Sequence, residues 1–470
     1  MLASKAKTDL TEGPIFGKMF LYVLPIMLTG ILQLVYNMAD HMVVGQFSGD
    51  PHALAAVGST AALTNLIVNL FVGITAGAAV VVARNFGAKD YDTLSKSVHT
   101  SMLFALIGGL AFMVVGFAVS SPALTLMDTK PEILDKATLY MQIICLGIPA
   151  TAVYNFGATI LRSVGDSKTP LYVLSATGIV NVILNCVFVI FFNMTVDGVA
   201  FATIISQYLS ALAVVFVLYK RKSESYSLDF KKLKIDKRIL VLILKFGIPA
   251  AVQTSLFSIS NVLLTTAANT FPTEIVSAKT IAGNLDGILY VSLNGYLHAS
   301  TTFVAQNYGA AKPERIKKSL ITAISQVVIV GITLSTIMLL CGRNLATLFI
   351  DSNDTNIPVI LDGVMTILGT TLPIYFMCGV MESLSGAIRG LGYSFAPMVI
   401  SVGGICGLRI LWIYCLFPLE PFNTLRGLFC CYPFTWSVTV LCLGIAFIVI
   451  WNKMKKTHFG KMTSEIKQND

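Results

Sequence analysis

The chain has 470 residues, 55% of them hydrophobic and only 12% charged, about half the charged share that a soluble domain carries. A mean hydropathy of +0.77 excludes an ordinary water-soluble protein, and the formal net charge of +9 has to be read on a membrane background. Apolar stretches recur from end to end, and many reach the ~20 residues that cross a bilayer as a helix. The fold class is therefore all-α integral membrane protein.

The N-terminus is basic and polar, and the first apolar stretch has no small-residue cleavage site, so it reads as an uncleaved first span. Breaking the chain at Gly, Pro, Asn and charge clusters predicts about twelve spans, near 18–45, 53–83, 97–120, 134–160, 169–192, 196–219, 239–268, 278–306, 319–342, 358–388, 397–418 and 427–452. Two or three of these are long enough to tilt or kink. Of the 33 Lys and Arg, 26 fall on one side, including Lys5, Lys7, Lys18, Arg84, Arg162, the 220–238 loop, Lys312, Arg389 and the tail. Five lie opposite: Lys130, Lys136, Lys279, Arg343 and Arg426. Lys245 and Arg409 sit inside spans. That bias places both termini and the 220–238 loop in the cytoplasm. The positive charge then reports topology and contact with anionic lipid, not nucleic-acid binding. All nine cysteines lie in apolar stretches at no metal-ligand or redox spacing and read as helix-packing residues.

The two halves repeat. Phe246-Gly247-Ile248-Pro249 answers Val23-Leu24-Pro25, and Asn307-Tyr308-Gly309-Ala310 answers Asn85-Phe86-Gly87-Ala88. Leu372-Pro373 answers Ile148-Pro149, and Arg389-Gly390-Leu391-Gly392 with Pro397 answers Arg162-Ser163-Val164-Gly165 with Pro170. Six spans per half give both halves the same orientation, so a pseudo-twofold axis along the membrane normal relates them, a plan that suits alternating access. The expected organisation is an N-lobe at 1–219, a linker at 220–238 acting as hinge, a C-lobe at 239–452 and a basic tail at 453–470.

Tyr36-Asn37-Met38-Ala39-Asp40 with Val44-Gly45 follows the first-span Leu-Pro, and Asp197-Gly198-Val199-Ala200-Phe201-Ala202-Thr203 opens the sixth span. Together with the paired Asn-Phe/Tyr-Gly-Ala and Arg-x-x-Gly motifs, in this order and spacing, the chain resembles the multidrug and toxic compound extrusion (MATE) family over essentially its full length. The resemblance implies a V-shaped pair of six-helix lobes that exports organic cations and drugs in exchange for sodium or protons. It also implies an acid at the position of Asp40. Many relatives carry an acid where this chain has Asn185, which leaves the coupling site one carboxylate short and the ion open. A branch with an acid in span 7 for sodium finds no counterpart between Lys245 and Asn269.

A carboxyl group inside a span is costly and marks a cavity or a partner. Asp40 is the strongest such residue. Asn37, Gln33 and Thr29 precede it at helical spacing and form one polar stripe with it, and Tyr36 belongs to the same motif. An acid in an apolar cleft holds its proton more tightly than in water, while a bound cation favours the charged form, so one site can exchange H⁺ or Na⁺ against a cationic drug. The alternative is a hydrated span end. Asn181 and Asn185 on span 5, Asn65 and Asn69 on span 2, and Tyr154 and Asn155 on span 4 are companions. Their amides either ligate Na⁺ at Asp40, Asn181 and Asn185, or act as hydrogen-bonded glue between helices. The second half offers Asp286, Asn284, Tyr290 and Asn294 in span 8, Gln253, Thr254, Ser258 and Asn261 in span 7, Glu382 in span 10 and Arg409 in span 11. Glu382 is expected to pair with Arg389 at the cytoplasmic gate or with Arg409 from the neighbouring helix. Seventeen Met and 10% aromatics either line a greasy cavity or simply fill membrane helices.

No His-rich metal cluster, phosphate loop or nucleophile elbow is present, so an enzyme is not expected; of the histidines, His41 beside Asp40 reads as a rim residue. The functional expectation is a monomeric, ion-driven exporter of amphipathic organic cations in a bacterial inner membrane, contacting lipid and using no cofactor beyond H⁺ or Na⁺. A lipid-linked oligosaccharide flippase of the same superfamily is the alternative, disfavoured because the spans hold more acids than clustered bases. The topology gives a direct expectation: alkaline phosphatase fused after Ser225 is inactive and after Thr129 active, and green fluorescent protein gives the reverse pattern.

Overall fold

The computed structural model describes residues 9–47, 53–350 and 356–456. Lys5, Lys7, His52, His458 and the tail lysines beyond 456 lie outside the described residues, as does the side chain of His41. Among the described residues every regular element is helical, as hydrocarbon demands of an open chain whose peptide groups must find partners internally.

The helices are α1 (Ile15–Phe47), α2 (Ala53–Gly87), α3 (Tyr91–Leu126), α4 (Pro131–Leu146), α5 (Ile148–Ser163), α6 (Lys168–Cys186), α7 (Val196–Lys220), α8 (Lys237–Ala268), α9 (Thr273–Gly309), α10 (Pro313–Thr347), α11 (Ile357–Thr371), α12 (Phe376–Gly390), α13 (Phe395–Ser401), α14 (Leu408–Leu411), α15 (Leu425–Phe429) and α16 (Cys431–Met454). All twelve expected intervals are largely helical. Among the described residues ten helices are long and apolar enough to span, or eleven when α4 and α5, bent by 45°, count as one. The remaining interval lies in α9, which is long enough at 37 residues but whose Ser, Thr, Asn and His dilute its hydropathy.

The internal repeat is written in the backbone. Lys89 and Ala311, each just past its Asn-x-Gly-Ala motif, both turn to positive φ (57° and 54°). The amides that follow reach back alike, Asp90 N to Asn85 O at 3.1 Å and Lys312 N to Asn307 O at 2.9 Å. Gly165 and Gly392 close the Arg-x-x-Gly motifs with φ of 94° and 84°, a region that glycine enters freely. The paired prolines act alike too. Gly147-Ile148-Pro149 separates α4 from α5, and Leu372-Pro373-Ile374 forms a 3₁₀ turn between α11 and α12, because proline removes the donor that a continuous helix needs.

Packing divides the described residues into two compact units, one running from Leu28 to Ala251, the other joining Leu10–Met27 to the chain from Val252 onward. The divisions fall after Met27 and after Ala251, two residues beyond Pro25 and Pro249, and not inside 220–238. In the first unit α2 and the start of α8 approach backbone to backbone. A Cβ on Gly73 would meet the Ala251 Cβ at 2.7 Å, and one on Gly77 would overlap the Ile243 carbonyl. The Arg84 guanidinium lies over the Phe246 ring at 5.7 Å. In the second unit Tyr22 Oη donates to or accepts from Thr302 Oγ1 at 3.1 Å. Gln326 Nε2 donates to Phe16 O at 2.6 Å, and Lys312 Nζ to Thr11 O at 3.0 Å.

The 220–238 segment is folded onto the first unit. Tyr226 and Leu228 are buried, Arg221 Nη2 pairs with Asp166 Oδ2 at 2.6 Å, and Asp229 N donates to His99 Nε2 at 3.0 Å. Asp236 N donates to Thr100 Oγ1 at 3.0 Å. All nine cysteines are free thiols, with Cys145, Cys378, Cys406 and Cys431 buried. Because Gly77 has no room for a methyl group, Gly77→Ala is expected to lower the thermal melting point, by about 1–3 kcal/mol of overpacking. Gly58→Ala, with no atom within 4 Å of the new methyl, leaves it unchanged or slightly raised.

Candidate functional site

In the first unit the polar stripe of α1 meets α6. Thr29 is buried, Gln33 and Asn37 are exposed, and Asp40 is half-buried. Asn185, wholly buried, donates its Nδ2 to Asp40 Oδ1 at 2.5 Å and to Asn181 Oδ1 at 3.3 Å. The spacing of Asn181 and Asn185, one helical turn apart, makes this possible. The Asn185 Oδ1 is buried and has no hydrogen-bond partner. Among the described residues Asp40 receives no other hydrogen bond, so its second oxygen is available. Tyr36 closes the α1–α6 contact: its ring occupies the space where a Cβ on Gly178 would sit, and its hydroxyl donates to Ser175 O at 3.3 Å.

Two expectations change here. Tyr154 is not at the Asp40 cluster; it is buried on α5, with its hydroxyl donating to Pro170 O at 3.5 Å. Asn155 is spent on its own helix, Nδ2 to Thr151 O at 2.9 Å. Tyr140 of α4 instead lies within the field of the Asp40 carboxylate. Nothing in its sequence spacing distinguished it. A cavity of about 30 Å³ lies among Thr64, Phe71, Met141, Ile148 and Gln207, room for a water and far below the several hundred Å³ of a drug pocket.

The second unit holds a separate polar cluster. Gln253, buried on α8, accepts from Arg389 Nη2 at 2.7 Å. Glu382 and Arg389 are buried on α12, two turns apart. Among the described residues neither Arg389 nor Arg409 forms an ion pair with Glu382, so both expected pairings are corrected. Arg409 takes neutral partners from α8 instead: Nη1 donates to Ser260 Oγ at 3.1 Å and Asn261 Oδ1 at 2.8 Å. Its guanidinium lies over the Tyr432 ring at 4.6 Å. The reason is reach: seven residues of helix separate Glu382 from Arg389, while α8 presents Gln253, Ser260 and Asn261 directly. Asp286 on α9 is half-buried beside Tyr375, Asn284 is exposed, and Tyr290 neighbours Glu382 and Asn294. Among the described residues no three His, Cys, Asp or Glu gather as a metal would require.

The model of the MatE family matches residues 25–187 and 249–415, one stretch in each half of the repeat and together more than half of the chain. The chain belongs to the MATE family. It is 27% identical over 456 residues to the probable multidrug resistance protein YoeA of Bacillus subtilis, covering 95% of this chain and 96% of that one. It is 22% identical over 447 residues to the multidrug export protein MepA of Staphylococcus aureus, covering 94% of each. An outward-facing structure of a multidrug resistance MATE transporter superposes with a TM-score of 0.89 at 21% identity, covering 97% of this chain and 100% of that one. A MATE protein is a multi-pass membrane transporter and not an enzyme, and the helical inventory agrees. Within this MATE chain the Gln253–Arg389 contact joins two buried side chains. Gln253→Leu strands the Arg389 guanidinium and is expected to lower stability by about 1.5–3 kcal/mol, read as a lower melting point; Gln253→Glu, which keeps an acceptor, retains most of it.

Proposed function

We propose that this transporter exports amphipathic, mainly cationic drugs or toxic compounds by alternating access, driven by exchange for H⁺ or Na⁺ at Asp40. The observation that carries the reading is the division of labour at the Asp40 carboxyl. Asn185 Nδ2 holds Oδ1, which fixes the group's orientation, while Oδ2 stays open to a proton, a metal cation or an organic cation. These ligands are mutually exclusive at one oxygen, and that competition is what exchange needs: the ion that binds from outside displaces the drug, and the drug that binds from inside displaces the ion.

A sodium ion would find oxygen donors in Asp40, in the unpartnered Asn185 Oδ1 and in Asn181, which suits a hard cation. A proton needs only Asp40. Gln33, Tyr36 and Asn37 extend the polar face along α1, where a ligand's polar groups can be met. In the second unit Asp286 and Glu382 are further acids for coupling or structure. The reading carries with it both termini in the cytoplasm, a bacterial inner membrane, a monomer and a lipid annulus. The likeness to a probable multidrug resistance protein and to a multidrug export protein supports the drug-like cargo.

The test is ethidium accumulation in an efflux-deficient bacterial strain at matched membrane levels of each variant. Wild type is expected to lower accumulation, and Asp40→Asn to abolish at least nine-tenths of that effect, on the order of a tenfold loss, because an amide takes up no proton and lacks the negative charge that holds a cation in an apolar cleft. Asn185→Ala, which removes the orienting donor but leaves the acid, is expected to lie between the two. A sodium-independent activity that collapses with the proton gradient selects H⁺. If wild type fails on a broad dye panel, the cation-export reading falls and a phosphate-bearing lipid cargo replaces it.

A further inference from the structure

The exposed face of α7 stays apolar to its last turn. Leu209, Leu212, Phe216 and Tyr219 recur at three- and four-residue spacing and are all exposed, so they form one stripe along the helix. On a spanning helix such a stripe meets acyl chains, and a tyrosine at its end marks the depth of the headgroups. The linker folds back over this end. Leu228 N donates to Leu218 O at 3.1 Å, Tyr226 and Leu228 are buried, and Asp229 is held to His99. Asp229 Oδ1 then accepts from Lys231 N at 3.0 Å and caps a 3₁₀ turn, Phe230–Lys232. Anchored this way, Phe230 presents its ring 5.4 Å from that of Tyr219 while staying 54% exposed. A linker residue therefore prolongs the lipid-facing stripe of the span.

Ammonium groups accompany these rings. Lys220 Nζ lies 4.6 Å over the Phe216 ring and Lys222 Nζ 5.0 Å over the Tyr219 ring. Lys231 and Lys232 follow Phe230 directly and are exposed. Among the described residues none of the four forms an ion pair with a carboxylate, and the 220–238 segment carries eight Lys or Arg against three acids. A lysine ammonium meets a phosphate as a point charge and needs no fixed fork. Apolar rings at headgroup depth with unpaired ammonium groups beside them match a molecule that has acyl chains and a net negative phosphodiester. A zwitterionic headgroup would bring its own cation against the lysines.

We propose that Lys220, Lys222, Lys231 and Lys232 seat the phosphate of an anionic phospholipid in the leaflet on the linker's side, with Phe230 entering the interface beside Tyr219 as a wedge. The bound lipid holds the linker against the end of α7. This assigns one headgroup chemistry to one place on the protein, where a lipid annulus by itself has no preference. It rests on the membrane-spanning character of α7 and on neither the cargo nor the coupling ion.

The experiment uses the full chain with Phe230→Trp, reconstituted in phosphatidylcholine nanodiscs that contain a minor share of phosphatidylglycerol. Bromine is placed on the acyl chains of one lipid at a time, so quenching at position 230 reports which lipid is in contact. The native tryptophans, all at 412 or beyond, give the background measured on the unsubstituted chain. Phosphatidylglycerol is expected to be preferred over phosphatidylcholine by roughly twentyfold or more. Adding Lys231→Gln and Lys232→Gln cuts that preference by roughly twentyfold, about fivefold for each lysine, the equivalent of about 1 kcal/mol per basic residue at an anionic surface. The exposed pair at the start of α10, changed as Lys317→Gln and Lys318→Gln, leaves it unchanged. Equal quenching by the two lipids at equal share, quenching by neither, or an equal loss from both lysine pairs overturns the proposal. Displacement of phosphatidylglycerol by inorganic phosphate assigns the lysines to a soluble anion and also overturns it. A wild type that exports no dye leaves the lipid preference standing, so the two readings fail separately.

Discussion

Hydrocarbon offers a peptide group nothing to bond to, so each N–H and C=O that crosses the bilayer has to be satisfied within its own helix, and every departure from helix needs a local substitute. The breaks in this chain follow that requirement. At Gly147 the amide falls back on the Ile144 carbonyl, and the Leu146 carbonyl is taken by the Tyr208 hydroxyl at 2.9 Å. At Leu372–Ile374 the backbone tightens into a 3₁₀ turn. The π stretches of the eleventh span widen the helix without opening it. Breaks occur where proline or glycine permits them and where a neighbouring side chain takes over the freed group.

The same requirement governs the side chains. A polar group in a span has to meet another polar group or a cavity, and the two units meet this demand differently. In the first, α1 and α6 bring a carboxylate and two amides together, and the one donor shared between Asp40 and Asn185 leaves acceptors over on both. A site rich in acceptors and poor in donors attracts cations. In the second, α8 lends Gln253, Ser260 and Asn261 to two arginines, and Glu382 lies within the field of Arg389 without forming an ion pair with it.

Duplication accounts for the shared turns. Positive φ at Lys89 and Ala311, and again at Gly165 and Gly392, shows that the two halves share these backbone corners. The corners are set by hydrogen bonds of the chain to itself, so they survive substitution. The polar clusters are set by side chains, so they diverged: Asp40 has no acid at the matching place on α8, and the arginine of α14 has none in the first half.

Composition, hydropathy and motif order were enough to determine a helical membrane protein with a repeated half, the MATE family and the acid on α1, because each of these depends on one segment at a time. Asn181 and Asn185 were legible as a pair, since one helical turn puts both on one face. Their contact with Asp40 was not, because it joins residues 145 positions apart. The tertiary structure alone decided that Tyr140 and not Tyr154 stands near that acid, that Arg409 turns to α8 and not to Glu382, and that the first parts of α1 and α8 pack outside the halves in which they lie in sequence. Spacing along a helix fixes which side chains share a face, but the angle at which two helices cross fixes which faces meet, and that angle depends on every glycine and bulky residue along the contact.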